Sequence, residues 1–168
     1  VDVSSDGATI VAGMPSRVQA AGSPNPGLPN GGGVAVLTGG PASWSVTQVF
    51  ERASIDGGGD TVGWDVAIDG TTVVSAAFST ATLDVWELGV ATPVTIDPGS
   101  ASTMDYVGAG NGRVAGITNQ GDVVIYDADG TPRGGIAYSP AAPARPTMAF
   151  NGDQIAIGDP RINGQSGQ

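Results

Sequence analysis

The chain has 168 residues and a formal net charge of −10, with sixteen acids against six arginines and no lysine, so a nucleic-acid duplex or an anionic membrane surface would repel it. Cysteine and histidine are absent, which excludes disulfides, thiolate or imidazole metal sites, thiol nucleophiles and every triad that needs an imidazole base. With 28 glycines, 12 prolines, few aromatics and no long window of helical periodicity, the composition predicts an all-β chain of short strands and frequent turns.

No apolar stretch approaches the roughly 18 residues that a membrane-spanning helix needs, so no membrane insertion is expected. The opening residues, VDVSSDG, have neither a basic region nor an apolar run of the signal-peptide kind, and they begin inside a strand pattern, which suggests processing or truncation. Fourteen of the sixteen acids are aspartate, many in Asp-Gly or Asp-Pro contexts where the short side chain can bond its own backbone. Turns therefore account for most of the acidity, and the missing lysine fits either a salty habitat or a GC-rich genome.

In chain order, residues 1–5 and 8–12 read as a hairpin across Asp6-Gly7. Residues 16–33, SRVQAAGSPNPGLPNGGG, follow as a loop far longer than the usual four to six residues or so. Long loops on rigid scaffolds often carry function, so Arg17, Asn25 and Asn30 are candidate ligand contacts; a tolerated surface excursion is the competing reading. Strands are expected at 34–37 and 44–50, and then a linker with the flexible run Asp56-Gly57-Gly58-Gly59-Asp60. Residues 62–76, VGWDVAIDGTTVVSA, carry the clearest pattern. Trp64, Val66 and Ile68 alternate with Asp65 and Ala67, Asp69-Gly70 intervenes, and Val73-Val74 follows, which predicts a hairpin with Asp-Gly as the two-residue turn. Strands at 83–88 and 93–96 complete this unit. The next runs through 104–109, 113–117, 123–126 and 134–138, and the last has only 147–150 and 154–158.

The Asx-Gly turns expose the repeat: Gly7, Gly70, Gly112 and Gly152 are spaced by 63, 42 and 40 residues, the first interval being lengthened by the insertion. Four strands in about forty residues, in tandem, is the signature of a β-propeller blade. The expectation is one partial propeller domain over 1–168, with repeats at 1–61, 62–103, 104–146 and an incomplete 147–168. About three and a half blades cannot close a ring of the usual four to eight, so the chain is expected to be part of a larger ring, its partners being the remaining blades of the same or an associated chain.

Several residues carry competing roles. The tryptophans Trp44 and Trp64 fall at period-two strand positions and are assigned to the core with Val66, Ile68, Val73, Val85, Val123, Ile125 and Ile155, so alanine at Trp64 is expected to loosen the array. Trp86, between Asp84 and Glu87, suits a ligand platform as well as the core. Asp127 and Asp129 resemble half of a calcium loop, and Asp56 and Asp60 flank a flexible glycine run; a plain turn and a solvated linker are the favoured readings. Thus no cofactor is assigned, and calcium is the one to test. Glu51 and Glu87 lie in different units, so no glycosidase pair is set by the sequence and no catalysis is expected.

The run V-G-W-D-V-A-I-D-G-T-T-V-V-S-A-A at 62–77 resembles the FG-GAP repeat of integrin α-subunit propellers and bacterial surface proteins. Val11-Ala12-Gly13-Met14-Pro15 stands at the G-A-P position of the first unit and Ile157-Gly158-Asp159-Pro160 at that of the fourth. Gly33-Val34-Ala35-Val36-Leu37 is similar to that family's third strand, followed by Trp44 at the place of its common tryptophan. The resemblance implies an extracellular or cell-surface propeller, bacterial or archaeal, that adheres to or binds a protein or carbohydrate ligand. The calcium loop of integrin repeats is not matched, because the hairpin turns here are too short to wrap a cation. Two rival readings remain: a secreted glycosidase-like propeller whose catalytic residues lie in other blades, and an architectural repeat in a surface assembly.

Overall fold

The computed structural model describes residues 1–18, 31–40, 42–53, 59–99, 103–137 and 147–158. Its strands form three four-stranded antiparallel sheets and one hairpin, each sheet made of strands consecutive in sequence. The first holds β1 (Asp2–Val3), β2 (Thr9–Gly13), β3 (Val34–Gly40) and β4 (Ser43–Phe50). The second holds β5 (Val62–Asp69), β6 (Thr72–Ala77), β7 (Thr82–Glu87) and β8 (Val94–Ile96), and the third β9 (Met104–Gly110), β10 (Arg113–Thr118), β11 (Asp122–Asp127) and β12 (Pro132–Ala137). The hairpin pairs β13 (Thr147–Phe150) with β14 (Ile155–Gly158). Apart from one 3-10 turn at Phe78–Thr80, no helix occurs among the described residues.

The four Asx-Gly hairpins share a motif but not a turn. Asn111-Gly112 takes positive φ at both central positions, 50° and 69°, as a two-residue turn of the predicted kind requires. In the second sheet Asp69 pairs with Thr72, so Asp69 ends the strand and the central residues are Gly70 and Thr71, with Gly70 alone at φ 57°. A side chain shift of one place is tolerated because the primed turn with a single positive φ needs glycine only at its first position. The first hairpin closes over four residues, where Asp6 accepts from the Ser4 hydroxyl at 2.6 Å and the Ala8 N–H at 2.9 Å. Those bonds, the Ser4 one foremost, hold its carboxyl below the ordinary range.

Successive sheets stack face to face, and the first strands β1, β5, β9 and β13 are neighbours. The second sheet is therefore covered on both sides. By strand alternation Val66, Ile68, Val73 and Trp86 face the first sheet, joining Val11, Val34, Val36 and Phe50 in one apolar layer. Ala67, Val74, Ala76, Leu83 and Val85 face the third sheet and join Met104, Val107 and Val114 in another. Each first strand turns one edge away from its own sheet, leaving outward N–H groups to be satisfied elsewhere. Aspartates of the preceding sheet do this: Asp2 accepts the Ile68 N–H and Asp65 accepts the Val107 N–H, both at 2.9 Å.

Burial corrects part of the expected core. Val66, Ile68, Val73, Val85 and Val123 are buried, but Trp64 is 43% exposed and Trp44 38% exposed. Trp64 lies where the β5–β6 register breaks between Val62 and Val66, and this bulge turns the indole out of the layer. Trp44 sits on the face of the first sheet that no described sheet covers. Ile125 and Ile155 are half-buried, since the two-stranded hairpin lies against β9 rather than the outer strands of the third sheet.

Candidate functional site

Antiparallel register puts one set of connections at a single end of the sheets. The starts of β5 and β9, the β6–β7 and β10–β11 connections, the end of β2 and the start of β3 all fall there. Trp64 and Phe78 meet at this end with ring centroids 4.5 Å apart and planes tilted by 34°. Thr61, in the left-handed region at φ 53°, locks the approach: its hydroxyl lies 2.9 Å from the Ser79 hydroxyl and accepts the Ser79 N–H at 3.0 Å. Ser75, buried inside β6, accepts the Gly63 N–H at 2.7 Å and so satisfies the backbone that the bulge releases. The result is an exposed Trp64 indole backed by the half-buried Phe78 ring on a fixed frame.

Beneath it lies a buried ionic cluster. Arg52 Nε donates to Asp84 at 2.6 Å, Nη1 to Asp60 at 2.8 Å, and Nη2 to the Thr80 and Thr82 hydroxyls at 2.9 and 3.2 Å. Thr95 donates to the other Asp84 oxygen at 2.7 Å. Burial pushes the Asp84 carboxyl up from its ordinary value, and the Arg52 charge opposes that shift. With both Asp84 oxygens engaged, this cluster pins the linker between the first two sheets onto β7 and offers no reactive group. Nearby, Arg17 Nε lies 3.0 Å from Glu51 Oε1.

The expected site residues do not converge. Asn25, Asn30 and Asp56 lie outside the described residues. Arg17 is at the loop end but tied to Glu51. Trp86, considered above as a ligand platform, is 1% exposed and stacks on Phe50 at 5.1 Å, because its strand position faces the layer between the first two sheets. Asp60, considered for a cation, holds Arg52 instead. Asp127 accepts from Arg133 Nε at 2.7 Å and Asp129 accepts the Thr131 N–H at 2.9 Å, and these bonds hold both carboxyls low. They sit at the opposite end of the third sheet from Trp64. Among the described residues no three acids converge to hold a metal ion. Phe78 and Arg52 were not singled out from the sequence. Phe78 follows a run that is apolar apart from Ser75, which signals a buried strand but not its half-buried sequel.

These stacked four-stranded meanders give the chain a β-propeller fold, present as blades rather than as a closed ring among the described residues. Solved β-propeller proteins match it. Hsv2p of Kluyveromyces lactis is 13% identical, with 77% of this chain and 41% of that one covered at a TM-score of 0.56. BamB of Moraxella catarrhalis is 14% identical, with 95% and 44% covered at 0.53. YCF48, solved with a D1 peptide bound, is 10% identical, with 80% and 43% covered at 0.51. At these identities the likeness concerns the fold, and the chain spans about two fifths of the length of the proteins it matches. No protein-family model and no curated protein matches the chain. No helix among the described residues is long and apolar enough to cross a membrane.

Proposed function

We propose that the chain is a non-catalytic binding or structural module. It is one partial domain of about three and a half blades in an FG-GAP-like ring, completed by further blades of the same or an associated polypeptide and displayed outside a bacterial or archaeal cell. One observation carries the ring. Val3, Ile10 and Leu37 hold the register positions in the first sheet that Ile68, Val73 and Trp86 hold in the second. Ile68 is 6% exposed against the first sheet, whereas Val3 is 48% exposed with no described sheet before it. A further blade would cover that face as the first sheet covers the second. Support for the FG-GAP type comes from Gly13 of the G-A-P segment and Gly63 of the F-G position, whose backbones touch across the first two sheets. YCF48 is seen with a peptide, and engagement of a protein ligand by the loop end is the use inferred for this chain.

Mass measurement tests the ring. The denatured mass of the protein as isolated is to be compared with 16.5 kDa, and its native mass with both. A larger polypeptide, or a 16.5 kDa chain held in a complex, is expected; a 16.5 kDa chain that is monomeric and cooperatively folded would sink the proposal.

A further inference from the structure

We infer that the Trp64–Phe78 pair is the contact point for a basic protein segment, its indole face receiving a lysine or arginine side chain. The exposure of Trp64 has no source in an open end of the array. Its sheet is flanked by the first sheet on one side and the third on the other, and both are present. Trp44 differs, since it lies on the uncovered face of the first sheet. An outward tryptophan between two packed neighbours is the kind of exposed apolar group that marks an interaction site, and tryptophan is enriched among the residues that dominate binding energy.

The pair is also preorganised. Phe78 backs the indole, the Thr61 hydroxyl holds the Ser79 backbone, and the bulge is secured by Ser75, so little side-chain freedom remains to be lost on binding.

Charge selects the partner. Asp65, Asp97 and Asp122 stand at this end of the sheets, and its described arginines, Arg17 and Arg52, are both paired with carboxylates. The chain carries −10 and no lysine. A cation is drawn to such a surface, and tryptophan offers the best aromatic face for it. A neutral sugar would use the ring but gain nothing from the charge. This inference rests on the binding-module reading, though not on ring closure, which mass alone decides.

The test uses the isolated protein and two synthetic peptides, acetyl-Gly-Arg-Gly-Arg-Gly-amide and its citrulline analogue, titrated by calorimetry at low salt. The arginine peptide is expected to bind and weaken as salt rises, and the citrulline peptide to bind at least about tenfold more weakly. Trp64→Ala should lower affinity about tenfold or more, Trp64→Phe should retain part of it, and Trp44→Ala should leave it unchanged, with circular dichroism confirming the fold of each. Equal binding by wild type and both Trp64 variants would reduce the effect to general electrostatics and overturn the inference. So would no peptide binding, or Trp64-dependent binding of chitohexaose without the peptide, which would make the pair a carbohydrate platform.

Discussion

Trp64 and Trp86 carry the same side chain with opposite consequences, because the β5–β6 bulge turns one out while regular alternation turns the other in. Trp86→Ala should destabilise the protein by about 3–5 kcal/mol, whereas Trp64→Ala should cost only about 1 kcal/mol, chiefly the lost ring contact with Phe78. Urea denaturation of the two variants separates them, and equal losses would contradict the burial assignment. The Trp86 Nε1–H has no hydrogen-bond partner among the described residues, so Trp86→Phe, which removes that group, should be milder than the alanine change. Asp65 gives a pH signature. Burial pushes its carboxyl up from the ordinary value, although the Val107 N–H stabilises the ionised form. A folded-state pKa above the unfolded one means that its contribution is fully present below about pH 4 and is lost as pH rises through the folded value. Asp6, Asp127 and Asp129 act in the opposite sense, since their lowered values add stability that disappears as pH falls. Asp65→Asn keeps an oxygen for the Val107 N–H and removes the buried charge. The variant should therefore gain stability relative to wild type as pH rises above the ordinary carboxyl value of about 4. A difference that stays flat with pH would refute the assignment.

Between elements, the junction of the first two sheets depends on backbone meeting backbone. A Cβ on Gly63 would lie 2.2 Å from the Gly33 oxygen and 2.7 Å from the Met14 nitrogen, and Gly63 already takes φ 87°. Gly70, at φ 57°, has nothing within 4 Å of the same atom. Gly70→Ala should thus cost about 1–2 kcal/mol of left-handed strain, while Gly63→Ala adds overpacking of about 1–3 kcal/mol and disrupts the sheet contact. The reverse order in denaturation midpoints would show that the two sheets do not rely on this approach. Strand positions were legible in the sequence because period-two alternation and Asx-Gly turns are local signals: the expected 113–117 and 147–150 coincide with β10 and β13 to within a residue. The fate of the tryptophans was not legible. Alternation says which residues share a face, but a bulge shifts that face by one, and nothing between Val62 and Val66 announces it. Arg52 was hidden for a different reason, since its partners Asp60 and Asp84 are 8 and 32 residues away and only stacking of the sheets unites them.

At the scale of the whole molecule, the repeat makes its own forecast about the uncovered face. Val3, Ile10, Leu37 and Val46 stand in register across β1 to β4, with Trp44 and Val49 on the same side. In the second sheet the equivalent row is closed by its neighbour, and Asp2 of that neighbour caps the Ile68 N–H. Among the described residues the Val3 N–H donates instead to the Asp2 carboxylate beside it in sequence. An apolar row of this kind in water favours association, through the same burial that joins the first two sheets. In the 168-residue chain, Val46→Asp should reduce self-association, seen as a lower weight-average mass in sedimentation equilibrium, while the melting of the second and third sheets stays unchanged. The same change at Val73, buried in the equivalent face of the second sheet, should instead unfold the protein, because its charge would enter a closed apolar layer. If both variants unfold, then Val46 is covered within a single chain and the first sheet does not present an open face.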